Sequence, residues 1–297
     1  MKPSLRIALF AVLTLTACSS AFAETPEWSQ PQEPFRIYGN TYYVGTRGLT
    51  SILIASPQGL VLIDGTLPKN AKQIEANIEA LGFRITDVKV ILNTHAHFDH
   101  AGAIAELARD SGARVEASSA GARALMLGGK DPADPQYGEA SPFAPVAKVT
   151  TVADNGVVQV GDVAITAHYT PGHTPGATTW TWRSCEAGRC MNIVYADSLG
   201  AFAADGYRFS DPAHPERLQD YRRSIETIAS LPCDILLSPH PDQSDLLERV
   251  AQRDAGSKPD PVIDGHACRV YAEEGRAKLE ARLAKEKTAA TGGKGGH

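Results

Sequence analysis

Several things are missing from this chain of 297 residues, and each absence excludes something. No C-x-x-C pair occurs among its five cysteines, which argues against a cysteine-built zinc site. No stripe of lysine and arginine runs along it and the formal charge is −5, so nucleic acid is not an expected partner. Its most apolar run, Ile7–Thr16, falls well short of the roughly 20 residues that cross a bilayer. After residue 36 there is no linker-like stretch and no strict repeat, so we expect a single domain over residues 36–287. Histidine is sparse, at nine residues, which makes its clustering informative. What remains, 43% hydrophobic and 21% charged, is an ordinary globular composition able to build a sizeable core.

The N-terminus reads as an export signal over residues 1–23. Lys2 and Arg6 precede the apolar run, and "AFA" offers a cleavage site after Ala23. "LTAC" (Leu15 to Cys18) also resembles the lipobox of bacterial lipoproteins, and only lipidation of Cys18 would attach the protein to a membrane. Both routes lead to export, and we expect a periplasmic protein. With Cys18 in the signal, four cysteines remain, which permit three pairings. Cys185 and Cys190 flank the turn-like "EAGR", leaving Cys233 and Cys268 as a long-range pair. An oxidising compartment favours these disulfides, and free buried thiols are the alternative.

Residues 24–35 read as a flexible arm. Two strands around Gly39-Asn40 follow, then the hairpin "TSILIASPQGLVLIDG", which ends at Asp64-Gly65. "KNAKQIEANIEALGF" has helical spacing, "VKVIL" reads as a buried strand, and "GAIAELARDSG" as a helix stopped by Gly112. Residues 128–147 carry four prolines and no periodicity, and a loop of that length in a compact domain is usually functional or disordered. The second half resembles the first in its alternation of strands and helices. Strands are expected in "GVVQVGDVAITAHYT", "ATTWTWRS", "MNIVYADS" and "CDILLSPH", a helix in "PERLQDYRRSIETIASLP", and a long helix from His266 to Lys287. Residues 288–297 read as a disordered tail. The class is α/β, two β-rich halves with helices outside.

The stretch "NTHAHFDHA" (Asn93 to Ala101) places His95, His97, Asp99 and His100 where a strand ends and a helix begins. Imidazoles and a carboxylate crowded in this way suit zinc. Four ligands are too few for two metals. His173 in "TPGHTPGAT" and His240 in "LLSPHP" also follow strands and are boxed by proline or glycine. His168, His214, His266 and His297 read as ordinary histidines, although His214 in "PAHP" is placed to line a pocket.

"THAHFDH", followed in order by "GHTPG", "YADS" and "SPHP", resembles the metallo-β-lactamase fold superfamily, and "HTPGATTWTW" with His100 resembles its subclass B3. The resemblance implies an αββα four-layer sandwich, with two central mixed β-sheets and helices on the outer faces. It implies two Zn2+ per chain: His95, His97 and His173 for the first, and Asp99, His100 and His240 for the second. Asp99 would also handle a proton. In these relatives a zinc-bound hydroxide bridges the metals, so attack on a β-lactam amide needs no serine or cysteine nucleophile. The implied substrates are small-molecule penicillins, cephalosporins and carbapenems, the implied role is antibiotic resistance, and no protein partner beyond a monomer is expected. The alternative is another exported dizinc hydrolase, a lactonase or thioesterase. Those enzymes place a bridging aspartate in the slot that here falls on Ser198, and Asp197 one step earlier reads as support for a ligand histidine. Ser198 would bind the substrate carboxylate, and Gly200 stands where some relatives have a second serine. Gln136, Tyr137 and Phe143 of the long loop are candidate substrate contacts.

Overall fold

The structure, a computed structural model, describes residues 24–292. The expected export signal with Cys18, and the last five residues of the expected tail, lie outside the described residues.

The strand runs assemble into two mixed sheets. The first holds β1 (Phe35–Tyr38), β2 (Thr41–Tyr43), β3 (Ile52–Ser56), β4 (Gly59–Ile63), β5 (Val88–Leu92), β6 (Arg114–Ala117) and β7 (Val149–Thr151), in that order. Pairing is antiparallel from β1 to β4 and parallel from β4 to β7. The second sheet runs β12-β11-β10-β9-β8, built from β8 (Val157–Val160), β9 (Val163–Tyr169), β10 (Thr178–Glu186), β11 (Arg189–Tyr195) and β12 (Ile235–Leu237). Its one parallel pair is β11 with β12.

Alternation along the strands sorts the side chains into layers. Ile52, Ile54, Val61, Ile63, Val90 and Leu92 face the second sheet, where they meet Ile165, Trp180, Ile193 and Tyr195. The residues between them, Leu53, Leu62 and Ile91, turn outward onto α1 (Ala71–Ala80), past the one-turn α2 (Phe98–Ala101), and onto α3 (Ile104–Ser111) and α4 (Ser119–Met126). On the far side Val194 and Leu236 pack against α5 (Pro215–Ser230) and, past α6 (Leu246–Asp254), α7 (Ala267–Gly292). The result is the expected helix–sheet–sheet–helix sandwich. Each fully buried Leu or Ile contributes roughly 1.5–3 kcal/mol, and a one-residue slip in a strand would reverse every assignment.

The structure departs from the sequence reading at several places. The arm is docked rather than flexible. Trp28 O accepts from Thr46 Oγ1 and Asn70 Nδ2, and Glu27 O and Gln30 O accept the backbone N–H groups of Gly48 and Arg47. Helix α7 continues to Gly292, into the segment expected to be disordered, because Thr288, Ala289 and Ala290 carry nothing that breaks a helix. Helices α4 and α6 and strand β7 have no counterpart in the sequence reading. Helix α4 is short and rich in small residues, and it depends on Ser118, whose side chain caps it by accepting from Gly121 N. Both disulfides, Cys185–Cys190 and Cys233–Cys268, are present. The first closes the β10–β11 hairpin and the second ties the approach to β12 to α7.

Candidate metal centre

The floor of the site is a residue that the sequence motifs do not mark. Asp64, just beyond β4, is fully buried at φ 65°. Its carboxylate accepts from Asn93 Nδ2, Thr94 N, Thr94 Oγ1 and Tyr195 OH, each at 2.8 Å. Burial pushes its carboxyl up, with His100 and the Thr94 donors pulling the other way. A positive φ at a non-glycine residue costs of order 1–3 kcal/mol and persists only where the surroundings enforce it. Here the four donors enforce it, and they fix Asn93 and Thr94 as they leave β5. The available signal was a carboxylate closing an otherwise apolar strand run.

From that anchor the chain delivers His95, then His97 in extended conformation, and then Asp99 and His100 on α2. His173 arrives in the turn after β9. Ser118 Oγ donates to Gly176 O on that turn, and a Cβ on Gly176 would stand 2.3 Å from Gly121 N, so glycine alone allows α4 to pack this close. His240 follows β12 between two prolines, with Pro239 O accepting from Thr50 N.

These six residues form two trios, His95/His97/His173 and Asp99/His100/His240, and within each trio the candidate ligand atoms lie within 4.8 Å of one another. The trios adjoin, with the rings of His95 and His100 4.4 Å apart. In the first trio every histidine has one nitrogen tied to an acceptor. His95 Nδ1 pairs with Asp197 Oδ1 at 2.7 Å, His173 Nδ1 donates to Gly200 O at 2.7 Å, and His97 Nε2 pairs with Asp134 Oδ2 at 3.0 Å. The opposite nitrogens are thereby left for a shared ligand. In the second trio Asp99 Oδ2 lies 3.1 Å from His100 Nε2 and 3.4 Å from His240 Nε2.

Burial, reinforced by the neighbouring His100, His173 and His97, holds His95 well below the usual histidine range. Burial and His97 bring His173 down to about 3. Both rings are therefore neutral and able to coordinate. Burial also opposes charge on His97, but the Asp134 carboxylate outweighs it and raises that ring. Asp99 is buried too, yet His100 and His240 hold its carboxyl well below the usual range. Asp197 is pushed well above it by burial and by Asp64.

The donor set passes a direct test for metal binding. His95 Nε2 and His100 Nδ1 are buried without any hydrogen-bond partner, a costly state for a polar atom that nothing else satisfies. Five imidazoles and one carboxylate converging as two adjacent trios fit zinc by number and by chemistry.

A cleft of about 260 Å3 opens over the trios, and its lining includes Ser198, Gln136, Trp28 and Phe202. Gln136 is buried and its Nε2 has no partner. Two candidate contacts are corrected. Phe143 is only 7% exposed and belongs to the core beneath α4, while Tyr137 is 51% exposed, and neither lines the cleft. His214 lines a separate cavity beside Pro171 and Arg217. Two further cleft residues carry no motif in the sequence. Trp28 belongs to the arm expected to be flexible, and its ring centroid lies 5.4 Å from that of His240. Phe202 follows the "YADS" stretch that leaves β11. A Cβ on Gly200 would fall 2.5 Å from its ring, so the aromatic side chain fills the space beside Gly200.

Comparison with known proteins agrees with this geometry. Residues 44–240 match the metallo-beta-lactamase superfamily. A subclass B3 metallo-β-lactamase isolated from a soil metagenome library is 53% identical, with a TM-score of 0.85 over 88% of this chain and 99% of its own. The SMB-1 metallo-β-lactamase, solved in a complex with mercaptoacetic acid, is 49% identical, with a TM-score of 0.83 over 87% and 99%. The MIM-1 enzyme from Novosphingobium pentaromativorans is 42% identical, with a TM-score of 0.82 over 93% and 98%.

Proposed function

The chain belongs to the metallo-β-lactamase superfamily and, within it, to subclass B3, and from there we propose that it is a periplasmic dizinc enzyme that opens penicillins, cephalosporins and carbapenems and so confers resistance. The carrying observation is the pair of adjoining trios with Ser198 on the same cleft. His95, His97 and His173 would hold one zinc, and Asp99, His100 and His240 the other. Bound there, zinc supplies Lewis acidity and lowers the pKa of water to roughly 7.

The protein's own groups account for the rest. Ser198, buried on the cleft wall, donates to the substrate carboxylate. The unpartnered Gln136 amide takes a carbonyl of the substrate side chain. Asp99 stays ionised, and with Oδ2 turned to His100 and His240 it leaves Oδ1 to accept the proton released as water adds. A C–O bond forms at the lactam carbonyl, the C–N bond breaks, and the ring nitrogen receives a proton. No thiol competes as nucleophile, since every cysteine among the described residues is in a disulfide. Asp197 turns its Oδ1 to His95 rather than bridging the trios, which favours β-lactam over lactone or thioester hydrolysis. The export signal and the disulfides support a periplasmic location, and we read the protein as a monomer acting on small molecules. No helix among the described residues is long and apolar enough to cross a membrane.

The test is spectrophotometric. Purified protein should open a cephalosporin and a carbapenem, chelator should abolish this, and zinc should restore it. Zinc-loaded protein that turns over neither, but cleaves a lactone or thioester, would overturn the reading.

A further inference from the structure

Two irregular segments flank the cleft, residues 131–140 and 198–205, and each grips a histidine of the first trio. Asp134 is the grip on one side. Its Oδ2 pairs with His97 Nε2 at 3.0 Å, while its Oδ1 accepts from the backbone N–H of Gln136 at 2.7 Å. One carboxylate thus orients a candidate ligand and seats the residue that faces the substrate. On the other side Gly200 O accepts from His173 Nδ1 at 2.7 Å. The segments are joined to each other, because Ala204 N donates to Pro135 O at 2.8 Å and Asp205 N donates to Glu139 Oε1 at 2.9 Å. The rings of His97 and His173 lie 4.9 Å apart. The contacts therefore close a circuit from His97 through Asp134, Pro135, Ala204 and Gly200 to His173.

The second trio has no equivalent. Its members pair with one another, and His100 Nδ1 has no partner. Outside the circuit, segment 131–140 is held from below at its start, where Asp131 takes Arg123. Its middle is mostly exposed, with Asp134, Pro135 and Gln136 as the buried exceptions.

We propose that Asp134 is the positioning residue that couples the first metal site to both walls of the substrate cleft, so that metal at His95/His97/His173 orders residues 131–140 and 198–205 and their order tightens that metal in return. The physical basis is shared ordering. A metal that fixes His97 and His173 fixes two points of the circuit, and the remaining links then form with less entropy left to lose. The effect must be reciprocal, because a coupling free energy acts equally on both events. The inference rests on reading the trios as metal sites.

The test uses the full chain without substrate. Amide hydrogen exchange is followed with and without two equivalents of Zn2+, and both metal affinities are measured by competition with a chromophoric chelator. In the wild type, zinc should slow exchange at the Gln136 and Ala204 amides by about tenfold or more, an observable of the ordering itself. In Asp134→Ala, zinc should no longer protect Ala204, and the first ion should bind about 10–100-fold more weakly with the second unchanged, the usual loss when a ligand histidine loses its orienting partner. Asp134→Asn keeps the shape and one acceptor oxygen. It should fall between the two, and it carries the measurement if the alanine variant does not fold. Exchange at those two amides indifferent to zinc in the wild type, or equal effects of the substitutions on both ions, would overturn the proposal. Because neither readout involves turnover, a zinc-binding chain that opens no β-lactam would remove the proposed function and leave the circuit standing.

Discussion

The two trios sit side by side, yet the protein treats them differently. Each histidine of the first is held from behind by an acceptor drawn from a distant part of the chain: Asp197 after β11, Gly200 beyond it, and Asp134 in the long loop. The second is held by its own members. His240 keeps 18% of its side chain exposed under the Trp28 ring, and His100 carries a free nitrogen. A ligand whose tautomer and rotamer are fixed in advance loses less on binding, so the first site should be the tighter and geometrically stricter one. The second should adapt more readily to substrate.

Substitutions can break or sharpen that contrast. The largest effect should come from ligand loss. His95→Ala should cost the first ion and about 10^3-fold or more in kcat/KM, the several kcal/mol that a catalytic metal supplies. His100→Ala should weaken the second ion more than the first, as stepwise metal titration would record, and equal loss of both would mean the division of ligands is wrong. Asp197→Asn should be milder. It should weaken the first ion about 10–100-fold and spare the second, and a matching loss at both would remove the contrast.

Smaller still is an effect on the far end of the 198–210 segment. Glu286 accepts there from Phe209 N, Ser210 N and Ser210 Oγ, and from Arg282 Nε. Burial pushes its carboxyl up, but these donors outweigh burial and lower it. Its stabilisation is therefore present above the ordinary value of 4.5 and lost as pH falls through the lower folded value. Glu286→Gln should cost about 1–2 kcal/mol in denaturant unfolding at neutral pH, and that difference should vanish in acid. Tyr137→Ala should change KM by less than about twofold, the neutral result usual for an exposed side chain. A large change would place Tyr137 over the cleft after all.

Much of this was legible in the sequence because it is local. The strand runs alternate, and Ile52 to Ile54 or Val90 to Leu92 show their two faces without any partner. The ligand candidates cluster in one nine-residue stretch and in two proline- or glycine-boxed turns. The groups that hold those ligands were less legible, because no local pattern marks them. Asp134 lies 37 residues from the ring it orients and looks like any loop aspartate. Trp28 sits in a polar arm that gains its order from Thr46 and Asn70, far along the chain. Phe143 looks in sequence like a loop aromatic free to meet substrate. Burying it beneath α4 is the more favourable use of its area, and it anchors the loop from the inside.

The contact between Gly200 and Phe202 has an evolutionary consequence. A hydroxyl-bearing residue at 200 would need the space that the Phe202 ring occupies. The two positions are therefore epistatic, and the order of change matters. A lineage that loses Phe202 first can then explore serine or threonine at 200 freely. A lineage that gains the hydroxyl first must displace the ring from the rim of the cleft in the same step.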